Sequence, residues 1–486
     1  MYAFWVIIKR FFEPKLAQTS YLIGCKEKRE GIVIDPNRDA EQYEKAAEAE
    51  GVRIAHITET HIHADYLSGS RELAARTGAT LYVSDEGDAE WKYAFAHDPG
   101  VTTIKDGDRI TVGNVLIDVM HTPGHTPEHL SFLVTDSAAA TEPIAAATGD
   151  FIFVGDVGRP DLLERAANMK GTMEAGAKSL YQSLQRFSQK PDWLQIWPGH
   201  GAGSACGKGI SAIPHSTLGY ERRFNWAFQA GSERTFVAGV LAGQPEPPKY
   251  FAEMKRLNKQ GPRVLGGFPR PPLQDLRLLE RHLHEGALVV DARRTADFAM
   301  GHVPGTISIP VDSSFTTWAG WFIPYDADFY VIVDDRVPGA IDAVVRDLAM
   351  IGLDRVAGYF DAAVIDQWAE TGRQPMTIPQ ITVTDLRESL SRGAVTLVDV
   401  RNENEWVGGH IAGARHITLG YLRDRIDEIP KTKPIVLQCA GGTRSAIAAS
   451  ILQAHGIERV INLSGGIGAW RKAGFQVADD EEKTHN

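Results

Sequence analysis

Short apolar runs, many of them β-branched, recur along the first 200 residues, separated by stretches whose charged and alanine positions fall at helical spacing. That alternation predicts strands interleaved with helices. The apolar stretch Met1–Phe12 reads as a first strand, Tyr21–Gly24 and Ile32–Asp35 as the next two, and Ala40–Glu50 as a helix. Val52–Thr58 predicts a buried strand that runs into Glu59-Thr60-His61-Ile62-His63-Ala64-Asp65, with a helix expected from about Asp65 to Arg76. Strands follow at Thr80–Val83, Val115–Met120, Leu130–Thr135, Ala145–Phe153 and Leu194–Trp197, and 211–259 reads as mainly helical.

Gly261–Pro272 breaks the pattern, because its prolines and glycines cannot continue a helix. Beyond it the chain repeats itself. Val289-Val290-Asp291-Ala292-Arg293 recurs as Leu397-Val398-Asp399-Val400-Arg401, and Gly301-His302-Val303-Pro304-Gly305 as Gly409-His410-Ile411-Ala412-Gly413, both 108 positions apart. Each copy alternates short apolar strands with helices, so each predicts a small α/β unit with a parallel sheet. The expected organisation is a first domain over 1–260, a linker over 261–272, and two further domains over 273–376 and 377–486.

Composition narrows the function classes. A chain of 486 residues is too long for one core, and 43% hydrophobic with 23% charged residues is the content of a globular protein. A net charge of -11 without a basic cluster argues against nucleic acid or an anionic membrane as partner. Met1–Phe12 is too short to span a bilayer, and its charges Lys9 and Arg10 follow the apolar run, so no leader is read there. The three cysteines, Cys25, Cys206 and Cys439, are far apart and match no CxxC spacing, which predicts reduced thiols and a cytoplasmic setting.

The polar clusters fall just past expected strand ends, where loops aim several side chains at one point. His61, His63 and Asp65 form an HxHxD pattern, which suits zinc or non-haem iron. The bland alternative is a surface histidine pair with Asp65 capping the next helix. Further on come His121-Thr122-Pro123-Gly124-His125-Thr126, then Gly155-Asp156, then Pro198-Gly199-His200. This order of four motifs resembles the metallo-β-lactamase superfamily, which implies an αββα sandwich over roughly the first 200 residues. In that likeness His125, rather than His121, matches the third motif.

Dinuclear zinc members of the superfamily present HxHxDH, and here Tyr66, a weak ligand with an ordinary pKa near 10, replaces the last histidine. The resemblance then leaves His61, His125 and Asp156 as a facial set of two imidazoles and one carboxylate, expected for one Fe(II) per chain. His63, Asp65 and His200 would orient those ligands or hold a second metal. A partly occupied zinc pair stays open as the alternative.

Three residues are candidates to face substrate: Arg159, Tyr66 and Cys206. Arg159 follows Asp156 by three and suits a substrate carboxylate, with a salt bridge to Asp161 as the equal alternative. The stretch from Trp197 to Ile210 resembles persulfide dioxygenases fused to rhodanese domains, where a cysteine follows the histidine, as Cys206 does here. A small buried thiol that only packs is the competing reading.

The repeated part resembles two rhodanese domains, with DVR, GHIxGA and Gly465-Gly466 followed by Trp470 as structural landmarks. Asp399, Arg401 and His410 read as scaffold. In the second copy a strand, Pro434–Gln438, delivers Cys439-Ala440-Gly441-Gly442-Thr443-Arg444-Ser445. Glycines allow the loop to curl, and backbone N–H groups, a helix N-terminus and Arg444 favour the thiolate. Four residues between cysteine and arginine make a smaller ring than the five of related phosphatases, suited to a persulfide sulfur. Gly441, Gly442, Thr443 and Ser445 complete the expected site with Cys439 and Arg444. The first copy has Asp335 in the place of Cys439 and Ala340 in that of Arg444, which predicts a silent domain serving as a spacer or in dimerisation.

The expected function is oxidation of a low-molecular-weight persulfide, such as glutathione persulfide, by O2 to sulfite, with sulfur transfer through Cys439 giving thiosulfate. The expected partners are therefore that persulfide, O2 and sulfite or thiosulfate, and the chain is expected to be a homo-oligomer. A dinuclear zinc thioester hydrolase of the glyoxalase II type and a non-catalytic persulfide sensor or sulfur carrier are the alternatives.

Overall fold

Two long antiparallel strands, β1 (Val6–Glu13) and β2 (Gln18–Cys25), begin the first of four sheets in the computed structural model, which describes residues 6–162, 164 and 171–478. The expectation for residues 1–5 lies outside the described residues. The sheet continues through β3 (Glu30–Ile34), β4 (Arg53–Thr58), β5 (Thr80–Ser84) and β6 (Val101–Ile104) in sequence order, and becomes parallel from β3 onward. A second six-stranded sheet holds β7 (Arg109–Val112), β8 (Val115–His121), β9 (Leu130–Asp136), β10 (Ala145–Gly149), β11 (Gln195–Pro198) and β12 (Ser216–Thr217) in reverse order.

The two sheets pack face to face. Tyr21, Ile23, Ile32 and Ile34 from the first meet Ile117, Val119, Phe132, Ala145 and Trp197 from the second in one buried cluster. Helices cover the outer faces: Tyr43, Ala47 and Leu73 pack on the first sheet, and Leu180, Leu184, Phe187 and Phe236 on the second. This is an αββα sandwich. All eight residues of β2 are buried, because the strand has the second sheet on one side and a helix on the other.

Two of the expected boundaries that move bear on the site. The strand read as Ala145–Phe153 ends at Gly149, whose φ of +49° bends the chain, and Thr148 Oγ1 bonds the carbonyl of Ile152 at 2.7 Å to close a turn. A side chain at Gly149 would put Cβ 2.5 Å from Thr60 Oγ1 and 2.9 Å from His129 Nε2. The helix read from Asp65 begins only at Ser70. Residues 59–69 are held instead as a loop, with Thr60 N–H on Asp35, Ser68 N–H on Asn258 and Gly69 N–H on Pro36.

The chain divides into two compact units, Met1–Phe268 with Ala349–Gly352, and Pro269–Leu348 with Leu353–Asn486. In the second unit β13 (Leu288–Asp291), β14 (Ile307–Ser308), β15 (Phe329–Val333) and β16 (Val356–Asp361) form a parallel sheet ordered β14-β13-β15-β16. A second parallel sheet, of β17 (Gln380–Ile381), β18 (Thr396–Asp399), β19 (Arg415–His416), β20 (Ile435–Gln438) and β21 (Val460–Leu463), is ordered β17-β21-β20-β18-β19. The inner order is therefore the same in both copies, with β14 answering to β19 and β15 to β20. The helix Thr443–Ala454 is buried from Ser445 to Gln453, because it has its own sheet on one side and β14 of the first copy on another. There the N–H of Ser308 donates to Ser450 Oγ at 2.9 Å. Among the described residues no helix is long and apolar enough to cross a membrane.

Candidate metal centre and cysteine loop

Asp35, at the end of β3, sets the first loop. Its carboxylate accepts the N–H of Thr60 at 2.6 Å and the hydroxyl of Thr60 at 2.8 Å, and it meets His63 Nε2 at 3.1 Å. Burial alone would lower the pKa of His63, but Asp35 outweighs it and pushes the imidazole up to about 9. His61 is the contrary case. Burial and the neighbouring histidines hold its pKa well below the ordinary value, leaving a neutral ring fit to bind a cation.

His125 joins it from the loop after β8. The Nδ1–H of His125 faces the carbonyl of Arg159 at 2.9 Å, an arrangement that leaves Nε2 as the free lone pair. The third member is Asp150, one residue past the end of β10. Ligand atoms of His61, His125 and Asp150 all lie within 4.8 Å of one another, and all three residues are buried. His61 Nε2 and both Asp150 oxygens have no hydrogen-bond partner. Unpaired buried lone pairs converging on one point are costly for the fold alone and are relieved by a cation, so the donor set fits a divalent metal.

A second group abuts the first. Ligand atoms of Asp65, His200 and Cys206 also lie within 4.8 Å of one another. His200 Nδ1 is fixed on the carbonyl of Ala17 at 3.0 Å, and its Nε2 stands 3.1 Å from Asp65 Oδ2 and 3.4 Å from Asp150 Oδ1. Asp150 thus touches both groups. Burial pushes the Cys206 thiol up, and the charges of Asp65 and Asp150 push it further.

The carboxylate that shares the cluster with the two histidines is Asp150, not Asp156. Asp156 accepts the N–H groups of Lys208 at 2.9 Å and Gly209 at 2.7 Å on one oxygen and Trp226 Nε1–H at 2.8 Å on the other. Its acceptors are spent on clasping two segments, 208–209 and the one that carries Trp226. Arg159 has the carboxylate that the sequence offered as the alternative partner. Wholly buried, it forms a two-point pair with Asp161 at 2.7 Å and donates to the carbonyl of Ala205 at 3.0 Å. Tyr66 is buried too, with its hydroxyl on the carbonyl of Asp35 at 3.3 Å and its ring against His63 at 4.4 Å.

His129 escaped the sequence reading, although it stands four residues past His125. Its Nε2 accepts the backbone N–H of Asp150 at 3.1 Å, its Nδ1 meets Thr122 Oγ1 at 2.9 Å, and its ring stacks on His61 at 5.1 Å. Asp35 escaped as well, since a lone aspartate at a strand end gives no local signal.

In the second unit, Cys439 follows β20 and is buried. Its Sγ accepts the N–H of Gly442 at 3.1 Å and the hydroxyl of Ser445 at 3.4 Å. Gly442 takes a φ of +109° as the residue before the helix, whose first residue is Thr443. Gly441 on the loop and Thr443 at the start of the helix are exposed. Gly466 lets the next helix close in, since a Cβ there would stand 2.2 Å from the carbonyl oxygen of Cys439. Arg444 is not directed at the sulfur: its guanidinium forms a two-point pair with Glu405 at 2.6 and 2.7 Å. In the first copy Asp335 is exposed on the equivalent loop, its N–H on Asp361 at 3.0 Å.

Fold and site together define a two-part protein, a metallo-β-lactamase-fold metal centre and a cysteine loop of rhodanese type. Residues 14–200 match the metallo-beta-lactamase superfamily, and 382–473 the rhodanese-like domain. A metallo-beta-lactamase from Staphylococcus aureus, known from its crystal structure, is 42% identical with a TM-score of 0.68, the match covering 74% of this chain and 99% of that one. The bovine mitochondrial persulfide dioxygenase ETHE1 is 28% identical over 200 residues, 40% of this chain and 68% of that protein. A hydroxyacylglutathione hydrolase of Rhodospirillum rubrum is 31% identical over 181 residues, 37% of this chain and 60% of that protein. The chain belongs to the metallo-beta-lactamase superfamily and carries a rhodanese-like domain.

Proposed function

We propose that the protein oxidises a low-molecular-weight thiol persulfide with O2 and passes sulfane sulfur through Cys439. The observation that carries this reading is the cluster of His61, His125 and Asp150, with its orphaned lone pairs, on the same chain as a cysteine loop of rhodanese type. Two imidazoles and one carboxylate suit a single Fe(II) with open positions, and iron when bound supplies the electron chemistry that lets spin-paired sulfur react with O2. The likeness to a persulfide dioxygenase supports the substrate class.

The residues supply the rest. His125 is oriented by the Arg159 carbonyl, and the backbone at Asp150 is held by His129, which supports their place in the cluster. The balance is one persulfide, one O2 and one water giving one thiol and one sulfite. At the other site Cys439 takes a sulfane sulfur as a persulfide, stabilised by Gly442 N–H and Ser445 Oγ–H, and yields it to sulfite as thiosulfate. Carrying both sites on one chain raises the concentration of each near the other.

The adjoining Asp65, His200 and Cys206 group favours one rival, a dinuclear thioester hydrolase. Aerobic incubation with glutathione persulfide, recording oxygen, sulfite, thiosulfate and metal content, decides between them. One iron per chain and oxygen uptake is the expected result; two zincs with thioester cleavage and no oxygen uptake overturns it.

A further inference from the structure

The cysteine loop has a feature that its expected chemistry does not use. The only cationic side chain on the loop, Arg444, is four-fifths buried and tied by both terminal nitrogens to the carboxylate of Glu405. Glu405 is itself fixed. Its Oε2 also accepts the N–H of Asn402 at 3.2 Å in a capping box, and its carbonyl accepts Arg401 Nη1–H at 2.9 Å. Arg401 in turn pairs at two points with the fully buried Asp399, between 2.6 and 3.0 Å. A chain of charged groups therefore runs from the end of β18 to the loop that follows β20.

The consequence is electrostatic. A guanidinium opposite a carboxylate at this distance presents little net charge to a third group, and Arg444 keeps its place without attracting an anion as a free arginine would. What holds the sulfur of Cys439 is neutral: the N–H of Gly442 and the hydroxyl of Ser445.

We propose that Glu405 is a positioning residue that sets the charge preference of the sulfur-transfer site, by cancelling Arg444 and so disfavouring a doubly charged donor such as thiosulfate relative to singly charged persulfides. This rests on the sulfurtransferase reading above. In the reaction concerned, the Cys439 thiolate attacks the outer sulfur of thiosulfate, the S–S bond breaks, its electron pair leaves with sulfite, and Cys439 keeps the sulfur as a persulfide anion. A thiol acceptor then takes that sulfur and returns the thiolate.

The test is steady-state sulfur transfer by the full chain from thiosulfate to 2-mercaptoethanol, varying each substrate. Glu405→Gln keeps the shape of the side chain and uncovers the arginine charge, so KM for thiosulfate falls about tenfold, which corresponds to ~1.4 kcal/mol, while kcat and the KM for the uncharged thiol stay within about twofold. Arg444→Gln uncovers the carboxylate and raises KM for thiosulfate by a similar factor. The double variant, again neutral, returns close to the parent. A purely structural pair gives the opposite signature, with both single variants impaired in the same direction, and that result overturns the proposal, as does a Glu405→Gln protein with unchanged KM for thiosulfate. A parent protein that transfers no sulfur at all overturns the sulfurtransferase reading, and the inference with it.

Discussion

The backbone N–H of Asp150 is bound by the ring of His129 at 3.1 Å, and the same ring lies against His61 at 5.1 Å. One histidine thus steadies two of the three donors without being a donor itself. Burial holds its pKa well below the ordinary value, so Nε2 stays an acceptor. Replacing His129 with Phe keeps the ring contact and removes the acceptor. Metal affinity should weaken by about 10- to 100-fold, the usual cost of losing such a support, with thiosulfate sulfurtransferase activity unchanged. Metal titration of the variant beside the parent checks this.

Asp150 and Asp156 should separate cleanly. Asp150→Asn is expected to lose bound metal and oxygen uptake, together with the stability that the bound ion gives the folded parent. Asp156→Asn should keep the metal but lower stability by about 1–3 kcal/mol, because one of its two occupied acceptor oxygens becomes a donor facing donors. Metal analysis and thermal melting of both variants distinguish the roles; metal loss only in the Asp156 variant would reverse them.

Glu128 gives a pH signature. Burial pushes its carboxyl up to about 7, while Oε1 accepts the N–H of Ile62 at 2.7 Å. A carboxyl that binds its proton more tightly when folded adds stability that is complete below the ordinary value near 4.5 and is lost as pH rises through about 7. The parent should therefore lose roughly 3 kcal/mol relative to Glu128→Gln between pH 4.5 and 8. Unfolding curves of the two proteins across that range should diverge with pH; parallel curves would show that Glu128 is ionised throughout.

Cys439→Ser tests the division of labour. Oxygen uptake on glutathione persulfide should persist, with sulfite replacing thiosulfate as the product, because the serine cannot carry sulfane sulfur. Equal loss of oxygen uptake and thiosulfate would show that the two sites do not act separately.

His61, His125 and Cys439 were legible because each stands in a short pattern beyond an apolar run, and the structure places all three at buried sites after strands. Asp150 was not, for a local reason. The apolar residues Phe151, Ile152 and Phe153 read as a continued strand, but beyond a turn at Gly149 the first two are buried against the helix layer and the third lies against His200, and the Gly-Asp pair that faces the histidines comes six residues before the one the sequence favoured. Arg159 was open between two partners, and Asp161 holds it in a buried two-point pair. Glu405 lay in a stretch read only as scaffold, and its hold on Arg444 joins residues 39 apart.

By itself the sequence determined the strand and helix succession, the repeat, and the kinds of chemistry present, because apolar periodicity and short motifs are written in neighbouring residues. Tertiary structure alone decided which carboxylate shares the buried cluster with His61 and His125 and whether the loop arginine is free or paired. Those are distances between residues 61, 125 and 150, and between 405 and 444, fixed by where paired strands end and which buried charges meet.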